Sequence, residues 1–105
     1  MSAHHSIVIT TYSREKTGSR IIEALLAARL AACVQVFPIR SHYVWKGKVS
    51  RDREHLMLIK AKSKHFAKIK ETILANHDYK LPEIVSVRIG RGSAAYLGWI
   101  DKVTR

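Results

Sequence analysis

The order in which strand-forming and helix-forming segments follow one another constrains the fold of this chain more than any other feature. Runs of β-branched and alternating apolar residues predict strands, and apolar residues that recur every three or four positions predict helices. The predicted strands cover residues 6–12, 31–49 with an interruption, 54–62 and 83–89, and the predicted helices follow Ser13, Ser63 and Ser93. The order is therefore β-α-β-β-α-β, with a short helix at the end.

This order is typical of the split β-α-β, ferredoxin-like sandwich, an α+β fold in which four antiparallel strands carry two helices on one face. A chain of 105 residues has room for one domain, residues 1–105, that buries roughly 60–70% of the surface of the unfolded chain. Residues 1–5 are expected to be flexible. The second and third strands are predicted to form an unusually long hairpin.

Local signals add detail to this outline. Pro38 interrupts the second strand and predicts a bulge or bend, and the polar residues 50–53 predict the reversal between the second and third strands. Ser13, Ser63 and Ser93 are predicted N-caps of the three helices, and Asn76 is predicted at the left-handed end of the second helix.

One face of the predicted sheet has no helices of its own, and the hairpin exposes long strand edges. Exposed edges pair readily with another chain. We therefore expect a homo-oligomer that shares sheet edges.

Charge and cysteine content point to a compartment and to general binding properties. No apolar run is long enough for a membrane span and no signal sequence is recognisable, so we expect a cytoplasmic protein with no membrane partner. The single cysteine, Cys33, agrees with a reducing compartment. A formal net charge of +11 predicts weak, nonspecific polyanion binding that fades as salt rises.

Several activities are excluded by missing motifs. The stretch around Gly90 and Gly92 resembles a dinucleotide loop but comes after the last strand, so the two glycines are interpreted as turn residues. The third strand lacks the aromatic residues of an RNA-recognition module. No catalytic constellation is evident, and the chain is predicted not to be an enzyme.

The amino-terminal residues carry a separate metal-binding hypothesis. If Met1 is removed, the chain begins Ser2-Ala3-His4, whose amine, amide nitrogens and imidazole can surround Cu(II) or Ni(II) in a square plane. A short disordered end is the alternative interpretation.

Three segments carry a resemblance to a known family. They are "ARLAACVQVFPIRSHYVWKGKV", "REHLMLIKAKSKHF" and "HDYKLPEIVSVRIGRGSAAYLGWI". Their Leu-Ala-Ala-Cys, Tyr-x-Trp-x-Gly-Lys, His-x-Tyr-x-x-Pro-Glu and Tyr-Leu-x-Trp blocks resemble those of the CutA divalent-cation tolerance family. The resemblance covers nearly the whole chain. It implies a homotrimer of ferredoxin-like subunits, similar in architecture to PII signalling proteins, that responds to copper or another divalent cation and has no essential cofactor.

The metal ligands that are attributed to some members of this family carry over only in part. A cysteine in the first strand and a His-His pair in the later loop are replaced here by Thr10 and by Asn76 followed by His77. The resemblance leaves His77 and Cys33, together with His4 of the amino terminus, as candidate metal ligands. A packed thiol for Cys33 and loop hydrogen bonding for His77 are the alternative interpretations.

Other residues of these blocks suit a polar cleft between subunits. Acidic, basic and phenolic groups there are expected to bind a small-molecule ligand against indole walls. The alternative is that the large aromatic residues are interface anchors, and Glu54 and Lys60 are interpreted as an ion pair. The candidate cleft residues are Tyr43, Trp45, Glu54, Lys60, Tyr79, Glu83 and Trp99.

Three hypotheses of function follow. The first is a trimeric, non-enzymatic protein of the response to metal ions that binds copper. The second is a PII-like module that binds a nucleotide or small anion in the inter-subunit cleft near Lys60 and Tyr79. The third is nonspecific association with nucleic acid through the basic surface.

Overall fold

The computed structural model describes residues 4–105 and has the element order expected from the sequence. The elements are β1 (His5–Tyr12), α1 (Glu15–Ala27), β2 (Cys33–Trp45), β3 (Lys48–Lys62), α2 (Phe66–Asn76), β4 (Ile84–Arg88) and α3 (Ala94–Val103), with a 3-10 turn (Ser63–His65) leading into α2. Among residues 4–105, none of the helices has the length and apolar character needed to cross a bilayer.

The four strands form one antiparallel sheet in the order β2-β3-β1-β4. Helices α1 and α2 cover one face, where their buried side chains join those of β1 and β3 in a single core. Burial of each large aliphatic side chain stabilises the fold by about 1.5–3 kcal/mol. The fully buried aliphatic side chains of this core are Val8, Ile21, Leu25, Met57, Ile59, Ile69 and Ile73. The predicted α+β, ferredoxin-like fold is confirmed.

The β2–β3 hairpin is longer than the helix layer and turns at its tip. Its register is unbroken from the Cys33–Lys60 pair to the Trp45–Lys48 pair. The two-residue turn is Lys46-Gly47, with φ of 52° and 75°, because the tightest hairpin turns need positive φ at both positions. The predicted reversal at residues 50–53 is therefore wrong: these residues lie within β3 and are polar because that part of the hairpin lies in solvent.

Pro38 does not interrupt β2. It pairs in register with His55, and the strand shows neither bulge nor break there. The reason is the position of β2 at the edge of the sheet, where an amide hydrogen that points away from the neighbouring strand is not needed. The predicted bulge is wrong.

Ser93 and Asn76 are two of the four predicted helix-end residues. The Ser93 hydroxyl accepts a hydrogen bond from the Tyr96 amide at 3.2 Å, so this N-cap is confirmed. Asn76 is the last residue of α2, and the chain leaves through His77 at φ −92°, so no left-handed residue ends the helix. The side-chain amide of Asn76 instead donates to the Thr72 carbonyl oxygen at 2.8 Å.

The other two serines hold distant segments together instead of capping helices. Arg14 occupies the N-cap position of α1, and the Ser13 hydroxyl bonds to the phenol of Tyr79. The Ser63 hydroxyl lies 2.6 Å from that of Ser6 in β1. Both predicted caps are wrong because a tertiary partner was available to each hydroxyl.

The sheet face opposite the helices, here called the open face, is apolar and largely uncovered. Strand alternation places Phe37, Val85 and Val87 on it, and each of these side chains is between 44% and 49% exposed. Helix α3 lies against β3 at one end of the open face, where it buries Ile100 completely. Tyr96 of α3 is 38% exposed.

Candidate functional site

A cleft of about 780 Å³ opens beside the hairpin, next to the loop between α2 and β4. This volume lies within the range of small-molecule sites. Five of the seven predicted cleft residues line it: Tyr43, Trp45, Glu54, Tyr79 and Glu83. Strand alternation places Tyr43 and Trp45 of β2 and Glu54 of β3 on the same side of the hairpin, and the loop supplies the other two.

Tyr79 is at the centre of a hydrogen-bonded chain in this cleft. Its hydroxyl donates to the Glu54 carboxylate at 2.7 Å. Because a phenol has one hydrogen to donate, the Ser13 hydroxyl donates to the Tyr79 oxygen. Burial, together with the Glu54 carboxylate, raises the pKa of Tyr79 from 10.0 to about 12. Tyr79 is therefore a neutral donor that leaves an oxygen of buried Glu54 satisfied.

A second phenol pairs with a second carboxylate closer to the tip. The Tyr43 hydroxyl donates to Asp52, which lies diagonally across the hairpin on the same side. This hydrogen bond raises the pKa of Tyr43 above its ordinary value. Asp52 and Ser13 were not predicted as cleft residues. The position of Asp52 was a usable signal, because it stands two residues before Glu54 and shares its side of β3.

The cleft is locally acidic in a strongly basic protein. Asp52, Glu54 and Glu83 are three of only eight acidic residues in the chain. Two basic residues border the cleft, Lys80 and Arg40. Arg40 alternates with Tyr43 along β2, so its side chain leaves from the opposite side of the hairpin. The arrangement favours a ligand that donates hydrogen bonds or carries positive charge.

His77 lies beside Tyr79 of the cleft, and both of its ring nitrogens take part in hydrogen bonds. Its Nε2 lies 2.7 Å from the Thr11 carbonyl oxygen, and its Nδ1 accepts the Tyr79 amide hydrogen at 3.1 Å. These partners define a neutral ring with the proton on Nε2. The side chain is 1% exposed and packs against the Tyr79 ring at 4.6 Å between centroids. The hydrogen-bonding interpretation of His77 fits these contacts.

Lys60 and Trp99 are not in this cleft. Lys60 donates to the Gln35 side chain at 2.6 Å and lies over the Tyr96 ring, which Trp99 contacts in turn. Six residues of strand separate Lys60 from Glu54, a distance of about 20 Å. The predicted ion pair between them is therefore wrong within one subunit.

The three candidate metal ligands do not converge. His77 lies at the end of the sheet where β1 finishes, whereas Cys33, half-buried at the start of β2, lies at the other end. His4 is exposed and borders a basic depression with Lys62, Lys64 and Arg88. Among residues 4–105, no group of three or more histidine, cysteine or acidic side chains could hold a metal ion. Residues Met1, Ser2 and Ala3 of the amino-terminal hypothesis lie outside the described residues.

Thr10 of β1 is part of the core. Its side chain is completely buried on the helix-covered face, paired with Met57 across the sheet. Its hydroxyl has no hydrogen-bond partner among the described residues. This position therefore has no polar environment in which to recruit a ligand.

The fold and the cleft define an α+β protein of ferredoxin-like topology with a ligand-sized polar site beside a long hairpin. Residues 6–103 match the family described as CutA1 divalent ion tolerance protein, and the chain belongs to that family.

Relatives and solved structures agree with this assignment. The divalent-cation tolerance protein CutA of Archaeoglobus fulgidus is 40% identical over 99 residues, which are 94% of this chain and 96% of that protein. The structure of the Thermus thermophilus divalent cation tolerance protein superposes with a TM-score of 0.91 at 39% identity, covering 96% and 99% of the two chains. That of CutA1 from the psychrotrophic bacterium Shewanella gives 0.93 at 30% identity, with 99% and 98% covered.

Proposed function

We propose that this chain serves divalent-cation tolerance as a homotrimer that binds a small ligand in the cleft beside the hairpin and catalyses no reaction there. The observation that carries the proposal is the cleft itself: a volume of about 780 Å³ with two phenol–carboxylate pairs and a Trp45 wall. The Asp52 and Glu54 carboxylates accept hydrogen bonds from the two phenols, and this arrangement suits binding.

Two features support the trimeric state. One is the apolar open face, and the other is that Lys60 and Trp99 lie outside the cleft that the other candidate cleft residues line. Phe37, Val85 and Val87 leave a contiguous apolar surface that another copy would cover. In a closed ring, one end of each subunit meets the opposite end of the next. Such a ring would bring Lys60 and Trp99 of one subunit towards the cleft of its neighbour, and the architecture would be that of a PII-like module.

The acidic character of the cleft supports a cationic or neutral ligand. A nucleotide or small anion, the alternative ligand, would meet Asp52, Glu54 and Glu83 and would depend on Lys80 and Arg40. A neighbour's Lys60 would add positive charge in the assembled trimer, whereas a cationic ligand has its acidic partners within one subunit.

Copper binding is proposed at the amino terminus. If Met1 is removed, the amine of Ser2, two amide nitrogens and the His4 imidazole suit the square-planar preference of Cu(II). His77 has both nitrogens engaged in hydrogen bonds, so the chain's other candidate histidine would first have to give up the Thr11 or Tyr79 contact. The cytoplasm is the proposed compartment, because Cys33 is a free thiol.

Calorimetric titration of the tag-free protein with Cu(II), Zn(II) and a panel of nucleotides tests the proposal, after its mass in solution has been measured. Copper binding that is lost in His4→Ala and retained in the histidine control His42→Ala supports the amino-terminal site. Copper binding unchanged in His4→Ala contradicts it. A monomeric mass contradicts the trimer, and nucleotide binding lost in Lys60→Gln favours the alternative ligand.

A further inference from the structure

The part of the hairpin that extends past the helices has a strongly basic side. The β2–β3 register places Arg40 opposite Arg53 and His42 opposite Arg51, and strand alternation directs all four to the side of the hairpin opposite Tyr43 and Glu54. Arg40 and His42 also border the cleft. All four are exposed. These four residues are here called the ribbon face.

The ribbon face lacks compensating charge. Like charges directly opposite one another destabilise an antiparallel pair. Within residues 4–105, the side chains of Arg40, Arg51 and Arg53 form no ion pair or hydrogen bond. The nearest acids in sequence, Asp52 and Glu54, lie on the other side of the hairpin and are engaged by the phenols of the cleft. The four exposed side chains are therefore available to an external anion.

We propose that the ribbon face binds the phosphate backbone of double-stranded nucleic acid. The major groove of B-DNA, about 12 Å wide, admits a two-stranded β-ribbon. Each cross-strand pair of the ribbon face is here called a rung. Successive rungs are two residues apart, about 6.8 Å, so the arginines form a linear array that can follow a linear polyanion. Arginine is also the residue best suited to bidentate contact with phosphate.

The direction of the array favours nucleic acid over a lipid surface. The rungs run along the hairpin, and its tip carries the exposed pair Val44 and Val49, 74% and 72% accessible, across from one another. A bilayer would contact the valine pair at the tip first, and the first basic rung is the next pair along the hairpin on the same side. A duplex laid along the ribbon contacts both rungs, and Lys46 at the turn extends the basic array.

This inference does not rest on the proposed function. The phenol–carboxylate pairs of the cleft and the arginines of the ribbon face leave from opposite sides of the same hairpin, and of the ribbon face only Arg40 and His42 also border the cleft. Failure of either proposal leaves the other standing.

The test is binding of the full-length protein to a short mixed-sequence DNA duplex, followed by fluorescence anisotropy over a salt series. The ribbon variant is Arg40→Gln, Arg51→Gln, Arg53→Gln. The control variant, with the same net charge, is Lys16→Gln, Lys70→Gln, Arg91→Gln, which changes three exposed residues elsewhere. The ribbon variant is expected to bind at least about tenfold more weakly near 0.1 M salt, with a salt slope lower by about 2–3, since each phosphate contact contributes ~0.9. The control should keep the slope of the unmodified protein.

Equal losses in the ribbon and control variants would overturn the proposal, because only net charge would then matter. Arg53→Glu guards against misfolding: it is expected to raise the thermal midpoint by removing a like-charge pair, and still to weaken duplex binding. Binding to vesicles of anionic phospholipid that depends on the ribbon face, with no such dependence for the duplex, would also overturn the proposal.

Discussion

At the scale of single residues, two buried polar groups in this protein differ in whether they have a hydrogen-bond partner. The Thr10 hydroxyl is completely buried without a hydrogen-bond partner among the described residues, whereas the Glu54 carboxylate is buried beside a phenol that donates to it. A buried polar group lowers stability when it has no partner, and the loss of a partner lowers stability in the same way.

Replacement of Thr10 by valine should therefore stabilise the protein. The substitution keeps the shape of the side chain and removes the unpaired hydroxyl, which is expected to raise the free energy of unfolding by about 1 kcal/mol. Thr10→Ser is the matched control, because it keeps the hydroxyl and loses a methyl group, and it should lower stability. Urea unfolding measures both. A less stable Thr10→Val protein would show that the hydroxyl has a partner after all.

Tyr79 should make stability fall at alkaline pH. Its pKa is raised by burial and by Glu54, from 10.0 to about 12, so the unfolded chain loses the phenolic proton first. The contribution is complete below pH 10 and is lost as pH rises towards 12.

Thermal midpoints between pH 8 and 12, compared with those of Tyr79→Phe, measure this contribution of Tyr79. The variant should be less stable at neutral pH, because Glu54 loses its donor, and should depend less steeply on alkaline pH. Parallel curves for the two proteins would contradict the assigned hydrogen bond.

At the scale of elements, the hairpin turn shows how backbone geometry selects a residue. Gly47 has φ of 75°, and apart from its two chain neighbours no residue among 4–105 lies within 4 Å of where a Cβ would be. Gly47→Ala should therefore destabilise the hairpin by about 1 kcal/mol through conformation alone. Gly90→Ala is the matched control, since that site is equally open but has no positive φ. Chemical denaturation compares the two, and equal effects would contradict the assigned turn.

The helices and strands themselves were predictable because each is defined by local periodicity. The apolar alternation in β3 and the spacing of Ile69 and Ile73 in α2 indicate their structures without knowledge of any neighbour. The hairpin turn was misplaced because the polar residues 50–53 resemble a loop, although the Gly47 signal was present four residues before Arg51. Solvent exposure of a long strand and of a turn produces the same composition.

At the scale of the whole molecule, the open face should decide the oligomeric state. Val87→Asp places a charge on the open face, and Leu26→Asp places one on the helix-covered side, where the leucine is 43% exposed against 49% for Val87. The first substitution is expected to shift the protein to monomers and the second to leave its mass unchanged. Analytical ultracentrifugation measures both. An assembly that tolerates Val87→Asp would place the interface elsewhere.

The sequence alone determined the element order, the α+β fold and the family, because local patterns and sequence motifs can be recognised without knowing which residues are in contact. Five of the seven candidate cleft residues lie along one cleft, and their role as a binding site stays a prediction. Tertiary structure decided which of the seven meet: alternation puts Glu54 and Lys60 on the same face of β3, and only the length of the strand separates them by about 20 Å. Tertiary structure also decided that both ring nitrogens of His77 form hydrogen bonds, with Thr11 and Tyr79, and that the Ser13 hydroxyl bonds to Tyr79. Partners that are distant in sequence become neighbours only when the sheet is assembled.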